Sequence, residues 1–227
     1  QNPDVPEHTL QAVMFQRCFQ NKYSKNRKLI SPLGANISIS DVLADYCTAN
    51  SSLTLYELEE YEEELTGAVE NKRALNTAVR VMVRTDKDSF VNISEIQFDV
   101  ETIDSAIETY FDGTVISLAS IKTFHAFPYT AGYTWNEFLL EGYLRHFSKA
   151  WAFLGSDTKE TVTGAVFHKE TIFASYEDAM ARAVVDAGIE LTQEAVSDYL
   201  LKHKYRIRKG DMSAIISKAY QITLQKE

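Results

Sequence analysis

The chain has little cysteine: Cys18 and Cys47 are the only two, and no C-x-x-C pair occurs. Two thiols are too few for a disulfide framework, so the fold must hold by its cores. Both sit in apolar helical patterns, which predicts buried free thiols. No run approaches the roughly 18 apolar residues of a membrane span, and no charged-then-apolar leader opens the sequence. These absences point to a cytoplasmic protein with no membrane partner. The opening "QNPDVPEHT" is polar, holds two prolines and has no period, so it reads as linker within a larger protein.

Catalytic motifs are missing too. The five histidines stand at 8, 125, 146, 168 and 203, none of them four residues from another. No H-E-x-x-H, zinc spacing, G-x-S-x-G, P-loop or G-x-G-x-x-G appears. The expectation is a protein without catalytic residues, metal or cofactor. A hydrolase whose carboxylates are scattered through the sequence stays as a third class.

What is present is the composition of an ordinary globular chain. Of 227 residues, 45% are hydrophobic, 11% aromatic and 24% charged, enough for more than one core. The net charge of −9 has the wrong overall sign for a nucleic-acid binder. Its distribution is uneven. From His8 to Asp41 there is no acid, but Arg17, Lys22, Lys25, Arg27 and Lys28 are basic. From Asp198 to Asp211 there is again no acid, but Lys202, Lys204, Arg206, Arg208 and Lys209 are basic. Between these lies "YELEEYEEEL", with six glutamates from Glu57 to Glu64.

Periodicity predicts a mainly helical α+β chain with short hairpins. Residues 1–33 read as linker plus a helix over 9–30 with a basic tail, stopped by "SPLG". Residues 34–100 read as the first folded unit. Ser38 or Ser40 can cap a helix over 38–50. Thr54 and Glu57 form a capping box for the acidic helix, which Gly67 ends. In "TAVRVMVRTDKDSFVNISEIQFD" the alternating valines suggest a strand. Leu75, Ala78, Val79, Met82 and Val83 fit helical spacing over more positions, which predicts a helix over 70–84. "SFVNI" and "IQFDV" then read as a hairpin around "SE".

Three helices and a hairpin within about 65 residues resemble a winged helix-turn-helix. Residues 37–100 are similar to the small winged-helix modules called HARE domains. The resemblance rests on an arginine-bearing third helix, a polar turn, and "SFV" opening a wing. It implies double-stranded DNA binding, or protein contact within transcription or nucleic-acid-processing assemblies.

The theme recurs downstream. Residues 101–174 predict a helix at "VETIDSAIETYFDG", an aromatic helix over 134–154, and a hairpin from "TVTGAVF" and "ETIFA". The aromatic helix reads as core rather than ligand pocket, and Gly142 within it invites close approach. Residues 175–227 predict three helices, opened by Ser175, Thr192 and Asp211. The fold expectation is thus tandem winged-helix-like units.

Candidate site residues follow from charge and exposure. Lys72, Arg73, Asn76, Thr77 and Arg80 have the chemistry to read base edges in a major groove. Arg84 and Lys87 could reach phosphates from the helix end and turn. Lys22, Lys25, Arg27 and Lys28 form one phosphate grip, or else a solvated helix end whose cations suit the dipole. Lys202, Lys204, Arg206, Arg208 and Lys209 form another, with Tyr205 placed to stack on a base. Two readings remain open at this point: a DNA-binding module, and a scaffold module whose acidic helix meets a basic partner.

Overall fold

A computed structural model describes residues 6–26, 29–35, 37–70, 72–130 and 132–225. In chain order the elements begin with α1 (Glu7–Cys18), β1 (Tyr23–Asn26) and β2 (Leu29–Pro32). Next come α2 (Ile39–Ala49), β3 (Ser52–Thr54), α3 (Leu55–Thr66), α4 (Arg73–Val81), β4 (Met82–Asp86) and β5 (Ser89–Asn92). Then follow α5 (Val100–Glu108), β6 (Val115–Ser117), α6 (Glu137–His146), β7 (Trp151–Asp157) and β8 (Val162–His168). The chain closes with α7 (Tyr176–Asp186), α8 (Gln193–Lys202) and α9 (Ser213–Leu224). Single 3-10 turns follow β5 and β6. The mixture of helices with small antiparallel sheets agrees with an α+β class.

Local chemistry sets several boundaries as the sequence predicts. Ser38 with Asp41, and Thr54 with Glu57, form reciprocal capping boxes. Ser175 and Thr192 accept from backbone N–H groups in the first turns of α7 and α8. Gly67 ends α3 with φ +80°, a left-handed conformation in which a Cβ is strained.

Two of the predicted helices give way to strands. The helix predicted over 70–84 stops at Val81, and Met82–Asp86 is a strand. The helix predicted over 134–154 stops at His146, and Trp151–Asp157 is a strand. Each hairpin therefore begins one strand earlier than predicted. "SFVN" pairs with "MVRTD", and "VTGAVFH" pairs with "WAFLGSD". The segments "IQFDV" and "ETIFA" are not hairpin strands.

The misleading signal is burial on both sheet faces. The first sheet has order β3-β5-β4 and the second β6-β8-β7, all antiparallel. Met82 and Phe90 point into a core with α2, α3 and α4, while Val83 and Val91 meet Leu139 of α6 on the other side. Val162 and Val166 join the aromatic core around α5 and α6, while Ala165 and Phe167 join α7, α8 and α9. A strand covered on both faces is apolar throughout and loses its period-two signature. The result is a stack of five layers: helices, sheet, helices, sheet, helices.

The corner after α6 is fixed by Asp104 of α5. Its carboxylate accepts from Tyr143 Oη at 2.8 Å, Ser148 Oγ at 2.7 Å, Lys149 N at 2.9 Å and Ala150 N at 3.0 Å. Burial is the main cause that drives the Tyr143 phenol pKa well above its usual range. These bonds turn the chain from α6 into β7, ending the helix while aromatic residues continue.

The N-terminal expectation also changes. The helix predicted over 9–30 ends at Cys18, and β1 and β2 pair as a hairpin. Cys47 is buried, and burial pushes its thiol up to about 11, whereas Cys18 is exposed, against expectation.

Arg84 and Gly142 join the first sheet to α6 and the β7–β8 turn. Arg84 is fully buried in β4. Nε and Nη2 donate to Lys87 O, Nη1 donates to Thr158 O at 3.0 Å, and Nη2 also reaches Lys159 O at 2.9 Å. The guanidinium carbon lies 4.2 Å from the centre of the Phe138 ring. One side chain thus ties the β4–β5 turn to the β7–β8 turn. At Gly142 an added Cβ would lie 2.8 Å from Val83 Cγ1 and 3.3 Å from Arg84 N, so α6 can approach β4 only with glycine there.

Arg84→Met should strip buried carbonyls of their donor and destabilise the chain by about 3 kcal/mol or more, read by urea unfolding. Arg84→Lys should recover only part of the loss, because a point donor cannot span both turns. Gly142→Ala should cost about 1–3 kcal/mol through overpacking, and Val83→Ala in the same chain should relieve most of that increment.

Candidate nucleic-acid interface

The exposed side of α4 is narrower than its sequence suggests. Asn76 and Arg80 are exposed one turn apart, and Lys72 precedes them at the N-cap with φ +66°. Thr77 is buried in the first unit. Arg73 turns inward: its Nε lies 2.6 Å from Oε1 of the fully buried Glu62, and its Nη2 lies 2.8 Å from Glu70 Oε1. Arg84 is not on a helix at all, and its burial excludes a phosphate contact. Lys87 lies in the exposed turn and pairs with Glu160 at 2.6 Å, the main cause that raises its pKa.

Lys72, Asn76 and Arg80 line one wall of an open cleft of about 770 Å³. The other wall comes from α6 and the second hairpin, including Arg145, His146, Phe153, Ser156 and Asp157, with Lys169 just after β8. Lys72 Nζ crosses the cleft to Asp157 O at 3.0 Å. Arg145 pairs with the buried Glu141 and, at 2.9 Å, with Asp157 Oδ2, so both carboxylates face a guanidinium. Lys169 is an exposed residue whose Nζ donates to Ser148 O. Arg80 is close enough to Asp41 to help lower that carboxyl's pKa, behind the larger effect of the Ser38 hydrogen bonds.

A second depression of about 420 Å³ adjoins the cleft, since Lys72 and Ser156 line both. Its far side carries Arg206 and Arg208, with Glu177 and Asp211 also present. Arg206 Nη1 lies 3.4 Å from both Asp211 O and Met212 Sδ, so this arginine is partly engaged. Tyr205 is buried beneath, which excludes the predicted stacking on a base.

The remaining candidates lie elsewhere. Lys202 lines a different depression beside Asp112, Asp186, Glu190 and Asp198. Lys204 is exposed with φ +56°, and Lys209 pairs with Asp198 at 3.2 Å. Lys22 precedes β1, Lys25 lies within it, and neither lines the cleft. Arg27 and Lys28 fall outside the described residues. The structure therefore gathers Lys72, Asn76, Arg80, Arg206 and Arg208, and separates the rest. It adds Arg145, Lys169, Ser156 and His146, which carry no sequence signal beyond the helical spacing of Glu141 and Arg145.

His146 holds the cleft's floor together. Its Nε2 lies 3.0 Å from both Val79 O and Met82 O, so a proton on Nε2 serves two carbonyls at the C-terminal end of α4. No group of three or more His, Cys, Asp or Glu suited to a metal occurs among the described residues. Among them, too, no helix is long and apolar enough to cross a membrane. No protein-family model, curated protein or solved structure matches the chain.

Burial lowers the pKa of His146, and outweighs the two carbonyls that raise it. As pH falls, the unfolded chain takes up this proton first. The residue's stabilising contribution is therefore complete above about 6.5 and is lost as pH drops below that value. His146→Gln keeps a donor without titrating. Wild type should lose stability relative to this variant as pH falls from about 7.5 to about 5.5, read in paired urea melts.

Proposed function

We propose that this chain is a DNA-binding module built on winged-helix-like units, with the α4 cleft and its adjoining depression as the phosphate-gripping surface. The observation that carries this reading is the continuity of exposed cations. Lys72 at the N-cap of α4, Arg80 in its last turn, Lys169 across the cleft, and Arg208 beyond it border depressions that meet at Lys72 and Ser156. A negatively charged backbone laid along them would meet several cations, an arrangement that gains affinity by counterion release.

Topology supports the winged-helix component. The segment α2-β3-α3-α4-β4-β5 gives three helices and a terminal hairpin, with the last strand between the other two. The segment α5-β6-α6-β7-β8 repeats that sheet order, with a 3-10 turn and loop where a middle helix would stand. In this reading Asn76 and Arg80 face the nucleic acid, and base readout falls to them alone. Burial of Thr77 and Arg84 and pairing of Arg73 leave mostly phosphate contacts, which favours recognition of shape over sequence. Two unpaired cysteines fit a reducing compartment.

Fluorescence anisotropy on a mixed-sequence duplex tests the proposal. Binding should weaken with salt at a slope of about −3 to −4 in log–log form, one unit per cation engaged. Arg80→Ala and Arg208→Ala should each reduce the slope by about 1, while Lys202→Ala, off the track, should leave it unchanged. Absence of binding at about 50 mM salt, or a slope insensitive to Arg80 and Arg208, would overturn the reading.

A further inference from the structure

We infer that α1 and the paired strands β1 and β2 form an arm that docks on α3 of a second copy of this chain. The arm exposes apolar side chains that join none of the four hydrophobic clusters. Leu10, Val13 and Met14 are 49%, 42% and 60% exposed, and with Arg17 they share one face of α1. Tyr23, Ile30 and Leu33 continue the exposed apolar surface through the hairpin. Contiguous apolar exposure of this kind marks an interaction surface. The arm is also basic. Arg17, Lys22 and Lys25 are exposed, and no acid lies between Glu7 and Asp41.

Complementary chemistry lies on α3. Tyr56, Glu60, Glu63 and Glu64 fall at helical spacing on one exposed face, with Tyr56 70% exposed. The other glutamates of the run are engaged: Glu57 in the capping box, Glu59 with Lys159, Glu62 with Arg73. Glu60, Glu63 and Glu64 make no ion pair among the described residues. An unpaired like-charged row around an aromatic ring is costly alone and fits an apolar surface edged with cations. The chain supplies one such arm and one such helix. Two copies exchange arms reciprocally in a two-fold dimer, or copies join head to tail. This surface is separate from the α4 cleft, so its test stands independently of DNA binding.

Size-exclusion chromatography with light scattering on the full chain reads the proposal directly. Mass should rise with concentration at about 50 mM salt and fall back at about 500 mM, because screening shortens to a few ångströms. Two charge-reversed chains separate the partners: Arg17→Glu/Lys22→Glu/Lys25→Glu, and Glu60→Lys/Glu63→Lys/Glu64→Lys. All six positions are exposed, and circular dichroism checks that both fold. Each alone should stay monomeric, and mixing them in equal amounts should restore a complex. A wild-type chain that is monomeric at every concentration would overturn the inference, whether the arm is free, packs on its own α3 or awaits another protein. So would association that neither triple reversal affects.

Discussion

The close approach of α6 to the first sheet is the constraint on which the molecule depends. Gly142 lets the helix backbone descend onto Val83 and Arg84, and Leu139 fills the gap beside Val83 and Val91. That contact makes the two small sheets inner layers of one stack. Arg84 then closes the seam from the strand side. A buried guanidinium is expensive to desolvate. Here it is offset by several carbonyl acceptors, the Phe138 face, and the field of nearby Asp157, Asp88, Glu137 and Asp86, though burial still dominates and lowers its pKa.

The seam also shapes the surface that we propose for nucleic acid. With β4 pinned against α6, the C-terminal end of α4 comes to rest on His146, and the polar side of α4 faces β7 across an open gap. The cleft exists because two units are held apart at one edge and joined at the other. Its cations come from α4, from the residue after β8 and from the loop before α9, which no linear motif groups together. The seam withdraws Arg84, and Glu62 and Glu70 withdraw Arg73. Cation count in a helix thus overstates what it can offer a ligand when the helix packs on two sides.

Most helices were legible because their ends carry their own chemistry. The capping boxes at Ser38 and Thr54, the caps at Ser175 and Thr192, and the left-handed Gly67 act within a few residues of chain. The alternating valines at 79, 81 and 83 show the opposite case. They straddle a boundary, with Val79 and Val81 helical and Val83 in a strand, so neither period fits the whole stretch. At Phe147 to Trp151 the aromatic pattern runs on, and only the reach of Asp104 from another helix ends α6.

By itself, then, the sequence determined the number and order of most helices, their caps, the third helical block and the uneven placement of charge, all of which depend on near neighbours. Tertiary structure decided where two helices give way to strands, which cations reach a common surface, and which are buried. Those outcomes turn on burial of both faces of a sheet and on pairings between residues as distant as Arg84 and Thr158. Energies of that kind depend on what covers a residue, and local spacing holds no record of it.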